Sequence, residues 1–126
     1  MDFKLPKEER LCSRKILGEL FISSESFLVY PLKVVFIKSN SSENIQNQAA
    51  FAVSKRNFKR AVKRNLIKRR MREAYRLNKH ILYGDLEAKK LQISAMFIYV
   101  GKEVLDYSII EKSMISAFKK VLAKLE

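Results

Sequence analysis

Residues Lys55 to Arg76 read KRNFKRAVKRNLIKRRMREAYR, eleven basic residues and one acid, Glu73, in 22 positions. Like charge at that density tolerates regular structure only if the backbone sends the cations to one side and holds itself in place with the other. The second part of the segment has that pattern. Ile67, Met71, Ala74 and Tyr75 lie at i, i+4, i+7 and i+8, one apolar face of a helix. Asn65, Lys68, Arg69, Arg72 and Arg76 lie at i, i+3, i+4, i+7 and i+11, a neighbouring polar face. A helix of this kind can dock on a sheet and present a row of cations to something else.

What it faces must be anionic. The segment carries +10 of the chain's net +13, so the charge is concentrated and not a general solubility device. A solvated helix face mixes both signs to avoid self-repulsion, and this one does not. A polyphosphate backbone fits best, because a dense row of Lys and Arg gains affinity by displacing counterions from nucleic acid. An anionic membrane surface is the second candidate. Arginine forks suit phosphate. Asn65, set among the cations, adds an amide that reads a base edge, a sugar hydroxyl or backbone geometry.

The rest of the chain supplies the scaffold. At 126 residues, 48% hydrophobic and 31% charged, residues 1–126 are expected to form a single RNA-binding domain. Lys7 to Phe21 has helical spacing, and Ile22 to Ser26 reads as a loop. Phe27 to Lys38 is β-branched and aromatic, a strand interrupted by Pro31. Ser39 to Gln48 is a polar loop. Ala49 to Ser54 is a second strand, expected to pair with the first as a hairpin. The basic helix follows and should fade near Lys79, with Gly84 and Asp85 in a loop. Leu91 to Val100 ends almost continuously apolar, as a central strand buried on both faces would. The last helix runs from about Ser108 to Lys124, capped either by Ser108 with Glu111 or by Asp106. The order is α-β-β-α-β-α, an α+β fold in the form of a two-layer α/β sandwich on a sheet of three or four strands.

No protein-borne catalytic centre is expected. Cys12 and His80 are the sole cysteine and histidine, which leaves no His/Cys metal cluster, and the acids form no close D-x-D or D-x-E set. His80 reads as a surface side chain. One cysteine permits no internal disulfide, MDFKLPKEER lacks a signal-peptide core, and no apolar run approaches membrane-spanning length, so the expected location is cytoplasmic.

The stretch AVSKRNFKRAVKRNLIKRRMREAYR, Ala52 to Arg76, resembles the protein subunit of bacterial ribonuclease P. The family pattern is a strand ending V-S-K-K or similar, a short turn, then A-V-x-R-N-R-x-K-R-x-x-R-E. The likeness extends more weakly to Arg10–Phe21, the polar hairpin, the third strand and the last helix. It implies a subunit of an endonuclease that hydrolyses one phosphodiester at the 5′ end of precursor tRNA. Catalysis would belong to a separate RNA subunit using Mg²⁺, with no cofactor or metal bound by the protein alone. It also implies a left-handed crossover around the basic helix, against the general rule. Its partners would be that RNA, in a one-to-one complex with a monomeric protein, and the substrate.

By position, the resemblance assigns the RNA-subunit surface to Lys55, Arg56, Arg60, Arg64, Asn65, Lys68, Arg69 and Arg72. Leu66 stands where the family has a second arginine, so one phosphate contact is either lost or passed to Arg70. A cleft for the 5′ leader of precursor tRNA falls to Leu17, Phe21, Phe36, Ala52 and Ser54. Ser23-Ser24-Glu25-Ser26 replaces a Gly-containing loop. Spacing alone fits Leu17, Phe21 and Phe36 to the core; the resemblance moves them to the cleft. The alternative function is a structural RNA-binding module such as a ribosomal protein, with a DNA-binding or nucleoid protein third. The ordered R-N-x-x-K-R-x-x-R after V-S-K favours the first, since a ribosomal protein more often carries long basic tails and a DNA reader a second short helix.

Overall fold

Leu91 to Tyr99 is the strand on which the sheet is built. A computed structural model describes residues 25–40, 48–88 and 91–124. They form β1 (Glu25–Val29), β2 (Leu32–Asn40), β3 (Gln48–Val53), α1 (Ala61–Ala88), β4 (Leu91–Tyr99) and α2 (Tyr107–Lys124). The strand order is β1-β2-β4-β3. β2 pairs antiparallel with β1 and with β4, and β3 runs parallel to β4. The parallel neighbours β3 and β4 are joined through α1, as parallel pairing requires a long crossover. The expected N-terminal helix, with Cys12, Leu17 and Phe21, lies outside the described residues.

Three expectations are corrected. β2 and β3 do not form a hairpin, because β4 lies between them and takes the partners of both. The continuous apolar run of β4 gains most from a central place, and that outweighs sequence adjacency. The strand expected over 27–38 is two strands turned back at Tyr30–Pro31, whose peptide bond is cis. β1 already begins at Glu25, inside the expected loop. The basic helix does not fade at Lys79 but runs 28 residues to Ala88, with Gly84 and Asp85 inside it. Leu82 and Leu86, both fully buried, extend the apolar stripe by about another three turns. Burying two leucines, at roughly 1.5–3 kcal/mol each, exceeds the cost of about 1 kcal/mol for an internal glycine. Gly84 lies on the exposed side.

One face of the sheet meets both helices. Leu32, Val34 and Phe36 of β2, Ala49 and Val53 of β3, and Ile93, Ala95, Phe97 and Tyr99 of β4 join Ile67, Met71, Tyr75 and Leu82 of α1 in a single core. α2 adds Ile110, Met114, Phe118 and Val121. Tyr75 is the centre of it, with the rings of Phe51, Phe97 and Phe118 each edge-on within 5.7 Å of its own. Asp106 caps α2, its carbonyl accepting from the amides of Ile109 and Ile110 at 3.1 and 3.2 Å. Glu111 is not part of a capping box. It accepts instead from the Tyr107 hydroxyl at 3.0 Å and from Asn78 of α1 at 3.1 Å.

Candidate nucleic-acid interface

The basic segment begins as a tight turn before it becomes a helix. Ser54 Oγ accepts from the Arg56 amide at 3.1 Å, and the Ser54 carbonyl accepts from the Phe58 amide at 3.2 Å. Phe58 is buried with its ring centroid 5.9 Å from that of Tyr99. Arg64, one turn into α1, reaches back and donates from Nη1 to the carbonyls of Phe58 and Lys59 at 2.7 and 2.8 Å. The turn therefore has a fixed shape, and Lys55, Arg56, Lys59 and Arg60 project from it into solvent.

The cations of the segment divide into two groups. Arg64 clamps the turn, Arg70 donates from Nη1 to the Leu105 carbonyl at 2.7 Å, and Arg76 pairs with Glu73. The hydrogen bond from Arg76 holds the Glu73 carboxyl below the usual carboxylate range. Lys55, Arg56, Lys59, Arg60, Lys63, Lys68, Arg69 and Arg72 have no side-chain hydrogen bond or ion pair among the described residues. Uncompensated charge on a rigid frame is what a polyanion binds, since the protein loses little conformational freedom when it does.

The structure brings Asn65, Lys68, Arg69 and Arg72 together around one hollow of about 650 Å³, with Val62 and Leu66 as its apolar part. Lys55, Arg56 and Arg60 lie on the preceding turn, next to α1. Arg64, inside α1, reaches back to that turn with one nitrogen committed. Arg70, the candidate to take over the contact of an arginine at position 66, donates from Nη1 to the Leu105 carbonyl in the β4–α2 loop.

Sequence reasoning missed Lys102. It lines a hollow of about 520 Å³ with Lys59, Arg60 and Lys63. It also lines one of about 650 Å³ with Ser54 and Arg56. A lone lysine in the β4–α2 loop carries no sequence signal. Tyr99 brings it there, donating to the Glu103 carbonyl at 2.5 Å and accepting from the Leu105 amide at 3.2 Å, so that the loop folds over Phe58.

The candidate cleft residues are not all brought together. Phe36 is corrected to the core: it is 1% exposed, its ring 6.1 Å from that of Phe27 on the helix-covered side of the sheet. Ala52 has the opposite strand parity and pairs with Ile98. On that side Val35, Ile37, Ala50, Met96 and Ile98 form a second, smaller apolar cluster. Strand alternation points to Val35 and Ile37 in place of Phe36. Ser54 directly follows β3, its hydroxyl accepting from the Arg56 amide.

Among the described residues no group of three or more His, Cys, Asp or Glu side chains converges on a possible metal position. Nor is any helix among them long and apolar enough to cross a membrane.

The family model for ribonuclease P matches residues 5–124 of the chain. The chain is 38% identical over 112 residues to the ribonuclease P protein component of Porphyromonas gingivalis, covering 89% of this chain and 82% of that one. It is 35% identical over 105 residues to the ribonuclease P protein component of Chlorobium phaeobacteroides, covering 77% and 72%. Among solved structures, the Staphylococcus aureus ribonuclease P protein superposes with a TM-score of 0.70 at 20% identity, covering 90% of this chain and 94% of that one. The Thermotoga maritima protein gives 0.69 at 21% identity, covering 89% and 96%. These structures share the fold.

Proposed function

This chain belongs to the ribonuclease P protein family, and from that premise we propose that it is the protein component of a ribonucleoprotein nuclease that matures the 5′ end of tRNA in the cytoplasm. It binds a catalytic RNA subunit, one to one, through the turn at 55–60 and the exposed side of α1. It contacts the 5′ leader of precursor tRNA along the sheet face that carries Ala52. The RNA subunit supplies the chemistry together with Mg²⁺. The protein's part is electrostatic and geometric.

The observation that carries this reading is the set of eight cations between Lys55 and Arg72 that have no side-chain partner among the described residues, on a turn and helix held by Arg64 and Arg70. Each such cation brought to a phosphate releases counterions, so the protein lowers the Mg²⁺ needed to fold the RNA and hold its substrate. Asn65 adds a neutral donor and acceptor at the centre of the row.

The test is cleavage of precursor tRNA at low Mg²⁺ by the cognate RNA subunit alone, the protein alone, and both. Cleavage only with both is the expected result. Cleavage by the protein alone would place a catalytic centre in this chain. Tight binding to other structured RNA without stimulation would favour a structural module of the ribosomal kind.

A further inference from the structure

The cation row on α1 has an apolar interruption. Val62 is 79% exposed, the most exposed of the large hydrophobic side chains among the described residues. Leu66 follows it at i+4 on the same side of the helix, half-buried. Together with Asn65, Lys68, Arg69 and Arg72 the two line the hollow of about 650 Å³.

A cationic surface that includes two adjacent apolar side chains is a poor match for a continuous phosphate backbone. Methyl groups give nothing to a phosphate oxygen and remove water from it. An uninterrupted RNA helix offers phosphates and 2′-hydroxyls to a protein and keeps its bases stacked inside. A bulged or looped nucleotide differs: its base turns outward as a flat, largely apolar surface, while its two flanking phosphates remain on either side. That arrangement matches an apolar pair set beside Asn65 and the three cations. Asn65, at the edge of the hollow, is placed for the polar edge of such a base. A second copy of the chain fits badly, because docking this surface on itself would bring Lys68, Arg69 and Arg72 of both copies together.

We propose that Val62 and Leu66 form an apolar seat for one unstacked nucleobase of the RNA bound along α1, so that the helix selects a bulged or looped nucleotide over uninterrupted duplex. This rests on the RNA-binding reading of α1. The RNA presenting the nucleotide is either the catalytic subunit or the precursor leader, which share this chemistry.

The full chain would be titrated, over a range of salt, with an uninterrupted RNA hairpin, the same hairpin with one unpaired nucleotide, the catalytic RNA subunit, and a single-stranded leader oligonucleotide. The parent protein should prefer the bulged hairpin by about tenfold. Val62→Ala with Leu66→Ala keeps helix-forming residues at both positions and should abolish that preference with the salt slope unchanged. Arg72→Ala should weaken both hairpins alike and reduce the slope by roughly one. Whether the double variant loses affinity for the subunit or for the leader identifies the source of the nucleotide. Equal binding of both hairpins by the parent, or an intact preference in the double variant, overturns the seat. If Arg72→Ala weakens nothing, the failure lies in the RNA-binding reading of α1. A dimer of the free protein that the double variant abolishes would assign the surface to a second copy and also overturn the proposal.

Discussion

Arg70 crosses from α1 to the β4–α2 loop and donates a hydrogen bond of 2.7 Å from Nη1 to the carbonyl of Leu105. Arg72, two residues on, is exposed and has no side-chain partner among the described residues. Two arginines in one basic run thus do different work. Arg70→Ala should lower stability by about 1.5–3 kcal/mol, the range for a hydrogen bond from a charged donor, and leave the salt dependence of RNA binding nearly unchanged. Arg72→Ala should do the reverse. Denaturant melts and salt titrations of the two variants, side by side, decide this. Equal loss of stability in both would contradict the division.

Tyr99 ties the same loop from within the core. Its hydroxyl donates to Glu103 and accepts from Leu105, and its ring meets Phe58. Tyr99→Phe should keep the ring contact and lose both hydrogen bonds, at a cost of about 1–3 kcal/mol. Amide exchange at Leu105 should speed up more than exchange in α1. Unchanged exchange there would show that the loop is held without Tyr99.

The two described glycines should respond oppositely to alanine. A Cβ on Gly84 meets nothing within 4 Å, and the residue lies inside a helix, so Gly84→Ala should stabilise by about 0.5–1 kcal/mol. A Cβ on Gly101 would come within 3.1 Å of both the Pro31 ring and the Tyr99 ring. Neither neighbour has room to withdraw: the Pro31 carbonyl accepts from the Val100 amide, and Tyr99 is bonded at its hydroxyl. Gly101→Ala should therefore destabilise by about 1–3 kcal/mol. Thermal melts would read both signs.

Tyr107 makes the fold sensitive to high pH. Burial first, then the hydrogen bond it donates to Glu111, raises its hydroxyl from 10.0 to about 12. The unfolded chain loses that proton near pH 10, the folded one only near 12, so this contribution is whole below about pH 10 and disappears as pH rises to about 12. Relative to Tyr107→Phe, the parent should lose stability more steeply in that window. Parallel stability curves for the two proteins would exclude the effect.

The composition of β4 alone marks it as the central strand, and the stripe from Ile67 to Tyr75 marks the side on which α1 docks. The same stripe continues through Leu82 and Leu86, and the end expected at Lys79 follows from giving Gly84 too much weight. Phe36 shows the opposite difficulty. A phenylalanine suits a core and a base-stacking cleft equally, and only its parity against Val35 and Ile37 on a paired strand separates them.

The sequence by itself determined that one short segment holds +10 of the net +13 and that most of it is an amphipathic helix, a charge density that suits a polyanion. Those are properties of periodicity and charge density, which act over a few turns of chain. Tertiary structure decided which cations remain for that partner. Arg64 and Arg70 look like their neighbours in the sequence, yet the carbonyls of Phe58, Lys59 and Leu105 claim them, while Lys102 arrives at the surface from a distant loop. A carbonyl left without a donor by the folding of a loop takes the nearest guanidinium, and which one is nearest is a matter of three-dimensional packing.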